Sequence, residues 1–217
     1  MPDVLPTDVL AVLDAGTTDP DPLLTEMAAH GRDRGFPIVG PDAGRLIRLL
    51  ARFADVERVF EFGSGFGYSA AWFLGALPDD GEIVLTEYDA DNLDRARDFL
   101  ARADSDATVH YEAGDAFETV ENYDGPFDAA FVDCDKKRYL DALDAVRPKL
   151  TDGALVVADN VLEGPVTPGE MRDALDGQPP TDAARGIGAY VEAVNEAPFE
   201  TAIVPLGEGL AVSRYSP

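Results

Sequence analysis

Between Arg58 and Asp159 the chain alternates short apolar runs with stretches whose apolar residues recur at helical spacing. Short apolar runs bounded by turn residues mark buried strands, and apolar positions three to four apart mark helices. The runs Arg58–Phe62, Glu82–Tyr88, Thr108–Glu112, Phe127–Asp133 and Ala154–Asp159 predict five strands. Tyr68–Leu77, Asp91–Ala103, Phe117–Asn122 and Lys136–Leu150 predict the helices between them, the first stopped by Pro78-Asp79-Asp80-Gly81. A further helix is expected over Ala184–Glu196. Two last strands, Glu200–Pro205 and Leu210–Arg214, flank Leu206-Gly207-Glu208-Gly209, which suits a hairpin loop.

Upstream, Val9, Leu10, Val12 and Leu13 fit one helix face, and Leu23, Leu24, Met27 and Ala28 fit another. From Pro41, a residue suited to a first helical turn, Ala43, Leu46, Ile47, Leu50 and Phe53 mark a third. Residues 164–183 carry Pro165, Pro168, Pro179, Pro180 and three glycines, and are expected to form a mobile insertion, a lid over the site. Strands alternating with helices imply an α/β fold. The expectation is a seven-stranded, mostly parallel sheet with helices on both faces and an antiparallel C-terminal hairpin. The 217 residues suit a single domain, with residues 1–40 as N-terminal helices that form a substrate or dimer region.

The charge excludes some functions. There are 42 Asp and Glu against 17 Lys and Arg, a net charge of −25. That argues against a basic groove for nucleic acid or anionic lipid. The acids are spread along the chain rather than gathered in a tail, which suggests a surface built for molar salt, where the Debye length falls to about 3 Å. A halophilic source is therefore expected. One cysteine, Cys134, excludes a disulfide framework or a cysteine-cluster zinc site, and His30 and His110 leave little for a multi-histidine site. No apolar run has membrane-spanning length, and the start Met-Pro-Asp-Val-Leu-Pro lacks the basic residues of a signal peptide. A soluble, cytoplasmic protein is expected.

Candidate chemistry gathers at the predicted strand ends. Glu61-Phe-Gly-Ser-Gly-Phe-Gly67 follows the first strand, and Gly63, Gly65 and Gly67 permit tight turning and close approach of a ligand. A dinucleotide fingerprint would place its third glycine where Tyr68 stands. An acid before the loop repels a pyrophosphate and suits a cationic ligand end, as in S-adenosylmethionine. Glu87 ends the second strand, where an acid can accept ribose hydroxyls, and Asp115 follows the third, where adenine would lie. A lone glycine loop is also compatible with a plain turn. The three acids at successive strand ends favour S-adenosylmethionine.

Asp133 ends the fourth strand, and Asp159 and Asn160 end the fifth. On adjacent parallel strands they form a hard oxygen set for Mg²⁺, Mn²⁺ or Ca²⁺. Asp135 can instead cap the following helix, and Asp159 and Asn160 can simply shape a turn. Lys136 is one of only three lysines and stands beside this set, as a general base would. Lys137 points elsewhere and is read as a surface residue.

These strings resemble the cation-dependent class I S-adenosylmethionine O-methyltransferases of the caffeoyl-CoA and catechol type. The matching strings are Glu61-Phe-Gly-Ser-Gly-Phe-Gly-Tyr-Ser-Ala70, Thr86-Glu-Tyr-Asp89, Gly114-Asp-Ala116, Phe131-Val-Asp-Cys-Asp-Lys136 and Asp159-Asn160. Arg185-Gly-Ile-Gly-Ala-Tyr190 and Pro205-Leu-Gly-Glu-Gly-Leu-Ala-Val-Ser-Arg214 also fit, and the match runs from about residue 25 to the end. The resemblance implies a Rossmann-like sheet with a reversed last strand, commonly in a homodimer. It implies Asp133, Asp159 and Asn160 as metal ligands and Lys136 as the base. Cofactor contacts fall on Val39, Glu61, Gly63, Ser69, Glu87, Asp115 and Ala116, joined by Gly65, Gly67 and Asp133. Glu163 departs from the pattern: it is one more surface acid or a hydrogen-bond partner for a substrate hydroxyl. The function expected is methyl transfer to one hydroxyl of a catechol-like small molecule. Methylation of a hydroxylated tRNA uridine, a non-catalytic S-adenosylmethionine-binding protein and a nicotinamide-dependent oxidoreductase are the alternatives.

Overall fold

The computed structural model describes residues 4–18 and 21–217, so the N-terminal segment assigned to 1–40 lies partly outside the described residues. The strands are β1 (Arg58–Phe62), β2 (Glu82–Glu87), β3 (Thr108–Ala113), β4 (Phe127–Val132), β5 (Leu150–Ala158), β6 (Phe199–Val204) and β7 (Leu210–Tyr215). They form one sheet in the order β3-β2-β1-β4-β5-β7-β6. The first five are parallel, and β7 runs antiparallel to both β5 and β6. The chain enters at β1 in the middle and winds outward both ways. The crevice between β1 and β4, at their carboxyl ends, is therefore where a ligand site is expected.

Side chains alternate across each strand and feed two cores. Val59, Ala129, Phe131, Leu155 and Val157 face one core, while Phe60, Phe62, Ala130, Val132, Val156 and Ala158 face the other. The first is covered by α2 (Pro22–Arg34), α3 (Pro41–Phe53), α4 (Tyr68–Leu74) and α5 (Ala90–Leu100). The second is covered by α6 (Ala116–Glu121), α7 (Tyr139–Val146), α8 (Pro168–Leu175) and α9 (Asp182–Val194). Both faces of β1, β4 and β5 are buried, which is why those strands read as continuous apolar runs.

Several expectations are corrected. Residues 164–183, for which no helix was expected, contain α8, started by Thr167, whose hydroxyl accepts from Glu170 N while the Glu170 carboxylate accepts from Thr167 N. Met171 and Ala174 then bury against the second core. The helix expected over Lys136–Leu150 breaks into a 3₁₀ turn (Lys136–Arg138), α7 and a second 3₁₀ turn (Arg147–Lys149), where Pro148 cannot donate a helical hydrogen bond. In α3 the buried face is made by Ala43, Gly44, Ile47 and Ala51, so Phe53 is 77% exposed. The small residues let α3 approach Trp72 closely, and close packing outweighs the larger side chains. The helix α1 (Thr7–Gly16) buries no residue, and Val12 on its expected apolar face is exposed. Among the described residues no helix is long and apolar enough to cross a membrane.

Candidate active site

The loops after β1, β2, β4 and β5 meet at one edge of the sheet around a cavity of about 550 Å³. Of the predicted residues, Val39, Gly63, Gly65, Ser69, Glu87, Asp133, Lys136, Asp159 and Asn160 line it. A smaller hollow of about 230 Å³ shares Gly63, Glu87 and Asp133 with it and is closed by Gly114, Ala116 and Phe117. Asp115 stands beside that hollow as the N-cap of α6. Its carboxylate accepts from Phe117 N at 2.8 Å and from Arg138 Nη1 at 3.1 Å.

The loop geometry requires glycine at Gly63. Its φ is +84°, and a Cβ there would lie 2.4 Å from the carbonyl oxygen of Asp133. The bare backbone therefore presses against the end of β4 and brings Asp133 into the cavity wall. The Glu87 carboxylate accepts from Gly65 N and Asp89 N, both at 2.9 Å, which pins it at the end of β2 with lone pairs to spare. Gly67 does not line either cavity. It caps α4 in a left-handed conformation and packs on Ala96.

Glu61 lies under the loop with no exposed surface, and neither carboxylate oxygen has a hydrogen-bond partner. Burial pushes its carboxyl up to about 7, an effect that the nearby Ser69 and Ser64 hydroxyls only partly offset. A buried, unpaired carboxyl is costly unless a ligand supplies its partner. A cationic ligand end fits that need.

Asp133 and Asp159 are brought together by the parallel pairing of β4 with β5, in which Val132 lies opposite Ala158. Asp159 is 3% exposed and accepts from Asn160 N at 2.8 Å. Burial, then the charge of Asp133, hold its carboxyl well above the usual carboxylate range. Asn160 adopts a left-handed backbone with φ +59°, and its Nδ2 donates to the Glu208 carboxylate, which leaves its amide oxygen free. Two carboxylates and an amide oxygen fit a hard divalent cation, whose charge would relieve the repulsion. Among the described residues no group of three or more His, Cys, Asp and Glu is close enough together to hold a metal.

Lys136 Nζ donates to Asp133 Oδ1 at 2.5 Å and to the Tyr139 hydroxyl at 2.8 Å, and its side chain is 14% exposed. Tyr139 OH in turn donates to the Asp159 carbonyl oxygen at 3.0 Å. Lys137 points away and pairs with Asp135 at 2.9 Å, while Asp135 caps the 3₁₀ turn. The turn is held from behind by α9. A Cβ on Gly186 would lie 2.2 Å from the Lys136 carbonyl oxygen. Gly186→Ala is therefore expected to move Lys136 and to cost about 1–3 kcal/mol of stability. A displacement near 1 Å can cost roughly 10²-fold in rate. Thermal melts and turnover measured on the same preparation check both, and unchanged values would refute this packing account.

Two site residues were not singled out from the sequence. Glu208 lines the cavity and holds Asn160. It arrives because β7 is antiparallel to β5: Val161 N, Leu162 N and Glu163 N donate to the Gly209 and Glu208 carbonyls at 2.9–3.1 Å. Its only sequence signal was an acid between two glycines in the hairpin loop. Tyr139 falls inside the helix expected over Lys136–Leu150, and nothing local marks its hydroxyl as the second acceptor for Lys136.

A family model described as O-methyltransferase matches residues 22–214. A catechol O-methyltransferase from Niastella koreensis is 33% identical over 171 residues, which cover 74% of each chain. Another catechol O-methyltransferase, from Mycobacterium tuberculosis, is 31% identical over 78% of each chain. Among solved structures, a methyltransferase from Geobacter sulfurreducens superposes with a TM-score of 0.78 over 98% of both chains at 27% identity. The O-methyltransferase TomG from Streptomyces achromogenes, solved with S-adenosylmethionine, gives a TM-score of 0.80 at 25% identity over 97% of this chain and 96% of that one. The reversed last strand, the glycine loop over a buried acid and a match spanning nearly the whole chain converge: this protein belongs to the O-methyltransferase family.

Proposed function

We propose that the chain moves a methyl group from S-adenosylmethionine to one hydroxyl of a vicinal diol, a catechol-like phenol, with a divalent cation held by Asp133, Asp159 and Asn160. The observation that carries this reading is a single basic group, Lys136, beside two carboxylates and a free amide oxygen in the cavity behind the glycine loop. The relatives named for catechol support the acceptor class, and the S-adenosylmethionine-bound neighbour supports the donor.

Glu61 offers its unpaired carboxyl to the cationic end of the donor, and Glu87 offers lone pairs to ribose hydroxyls. The hollow at Ala116 and Phe117 suits a flat base. Asp133, Asp159 and the Asn160 amide oxygen would hold a divalent cation, which when bound would supply Lewis acidity toward an acceptor hydroxyl. Lys136 Nζ takes the hydroxyl proton from its neutral amine form and becomes the ammonium that pairs with Asp133. The acceptor oxygen then bonds to the methyl carbon as the carbon–sulfur bond breaks, and the electron pair stays on sulfur. The apolar walls at Phe36, Ile38, Val39 and Val166 align the ring and exclude water.

The test is transfer of labelled methyl to catechol in molar KCl, chosen because the distributed acids suit high salt, with Mg²⁺ or with excess EDTA. Methylated product that disappears with EDTA is expected. Product that survives EDTA would remove the cation from the reaction, and no product with the fold intact would remove the acceptor class.

A further inference from the structure

A lysine serves as a base only if its amine is aimed, and its nitrogen sits on a flexible four-carbon stem. The local backbone supplies a restraint. The turn Lys136–Arg138 is 3₁₀, in which positions three apart eclipse, so Lys136 lies over Tyr139. Its Nζ stands 5.0 Å from the centre of the Tyr139 ring and donates to the Tyr139 hydroxyl at 2.8 Å.

The other partner, Asp133 Oδ1, lines the cavity and belongs to the set offered to a cation, so the two demands compete for it. Tyr139 is free of that conflict. It has no exposed surface and packs edge-on against Tyr190 at 5.8 Å. Its hydroxyl proton is committed to the Asp159 carbonyl oxygen at 3.0 Å, which leaves lone pairs for Lys136. The Asp159 main chain is itself fixed to the sheet, because Asp159 N donates to the Val132 carbonyl at 3.1 Å. Tyr139 therefore refers the position of the amine to the end of β5 rather than to another mobile side chain. A neutral amine has two N–H bonds and one lone pair. With one N–H on Asp133 and the other on Tyr139, the lone pair has a single tetrahedral direction left.

We infer that Tyr139 is a positioning residue, whose buried hydroxyl, tied to the main chain past β5, fixes the direction in which Lys136 presents its lone pair to the acceptor hydroxyl. This rests on the proposed role of Lys136 as the base.

The experiment compares Tyr139→Phe with Tyr190→Phe. The second is a control that removes a phenol hydroxyl at the same depth, one that makes no hydrogen bond to Lys136. With saturating donor and catechol, kcat of Tyr139→Phe is expected to fall by roughly ten- to a hundredfold, the cost of a displacement near 1 Å. The KM for S-adenosylmethionine should stay at the wild-type value, and Tyr190→Phe should keep the wild-type kcat. An unchanged kcat in Tyr139→Phe, or an equal fall in the control, would overturn the inference.

A second readout needs no turnover. The chain has only three lysines, Lys136, Lys137 and Lys149, so NMR of protein labelled with carbon-13 at lysine Cε, in excess EDTA, gives three methylene signals. The Lys136→Met spectrum identifies the signal of Lys136 by its loss. A held amine makes the two ε protons of Lys136 inequivalent in the wild type and in Tyr190→Phe, and Tyr139→Phe is expected to merge them. Equivalent protons in the wild type would overturn the inference without any variant, as would a splitting that survives in Tyr139→Phe. If the wild type methylates no acceptor, the base role fails on that result, and the NMR comparison alone decides whether Tyr139 orders the amine.

Discussion

Lys136→Met is expected to lower turnover by roughly 10²–10⁴-fold, the range of a general base, while S-adenosylmethionine still binds. The reason is local. Lys136 is the only basic side chain among the described residues that line the cavity, and Met keeps its length without a proton acceptor. The loss should therefore appear in kcat rather than in donor affinity. Removing the amine also leaves Asp133 without its Lys136 partner, so a modest fall in melting temperature is expected. Lys136→Arg separates two roles, because guanidinium keeps the charge and cannot give up its proton near neutral pH. If the arginine variant regains wild-type turnover, charge rather than proton transfer is what Lys136 supplies. Single-turnover rates with saturating donor make the comparison free of product release.

Glu61 carries the second large effect, on stability. Its carboxyl titrates near 7 in the fold against an ordinary value of 4.5, because burial disfavours the anion. Between those values the folded protein keeps a proton that the unfolded chain has released. Stability therefore falls as pH rises from about 4.5 to 7, and the deficit is complete above 7. A shift of about 2.5 between those values corresponds to on the order of 3 kcal/mol. Glu61→Gln removes the ionisable group, so without ligands it is expected to be more stable than the wild type near pH 8, by up to about 3 kcal/mol, and to lose that advantage near pH 5. The same substitution takes away the negative charge offered to the cationic end of the donor, so S-adenosylmethionine should protect the variant less in a thermal melt. Denaturant unfolding at the two pH values reads the first effect. Parallel stability curves for wild type and variant would refute it.

The helical and strand periods were legible because they record burial on one or two faces, a property of neighbours a few residues apart. The three central strands with both faces buried gave apolar runs, and the amphipathic stretches between them gave helices. Where the signal failed, a different force decided. Phe53 looked like a core position, yet the close approach of α3 to Trp72 selects small residues and turns Phe53 outward. In residues 164–183 the prolines and glycines masked a helix whose start, Thr167-Pro168-Gly169-Glu170, is a capping signal on inspection.

By itself the sequence determined the strand–helix alternation, the position of the glycine loop and the residue types at each strand end. Each of these rests on contacts within one element or between an element and its own loop. It named Glu61, Asp133, Lys136, Asp159 and Asn160 because they stand at such ends. Only the tertiary structure decided that Glu61 lies unpaired beneath the loop, that Tyr139 shares Lys136 with Asp133, and that Glu208 holds Asn160 from the far end of the chain. Those relations come from strand order and from the reversal of β7, which join residues up to 48 positions apart. No local pattern of hydrophobicity or charge encodes which ends of which strands will face one another.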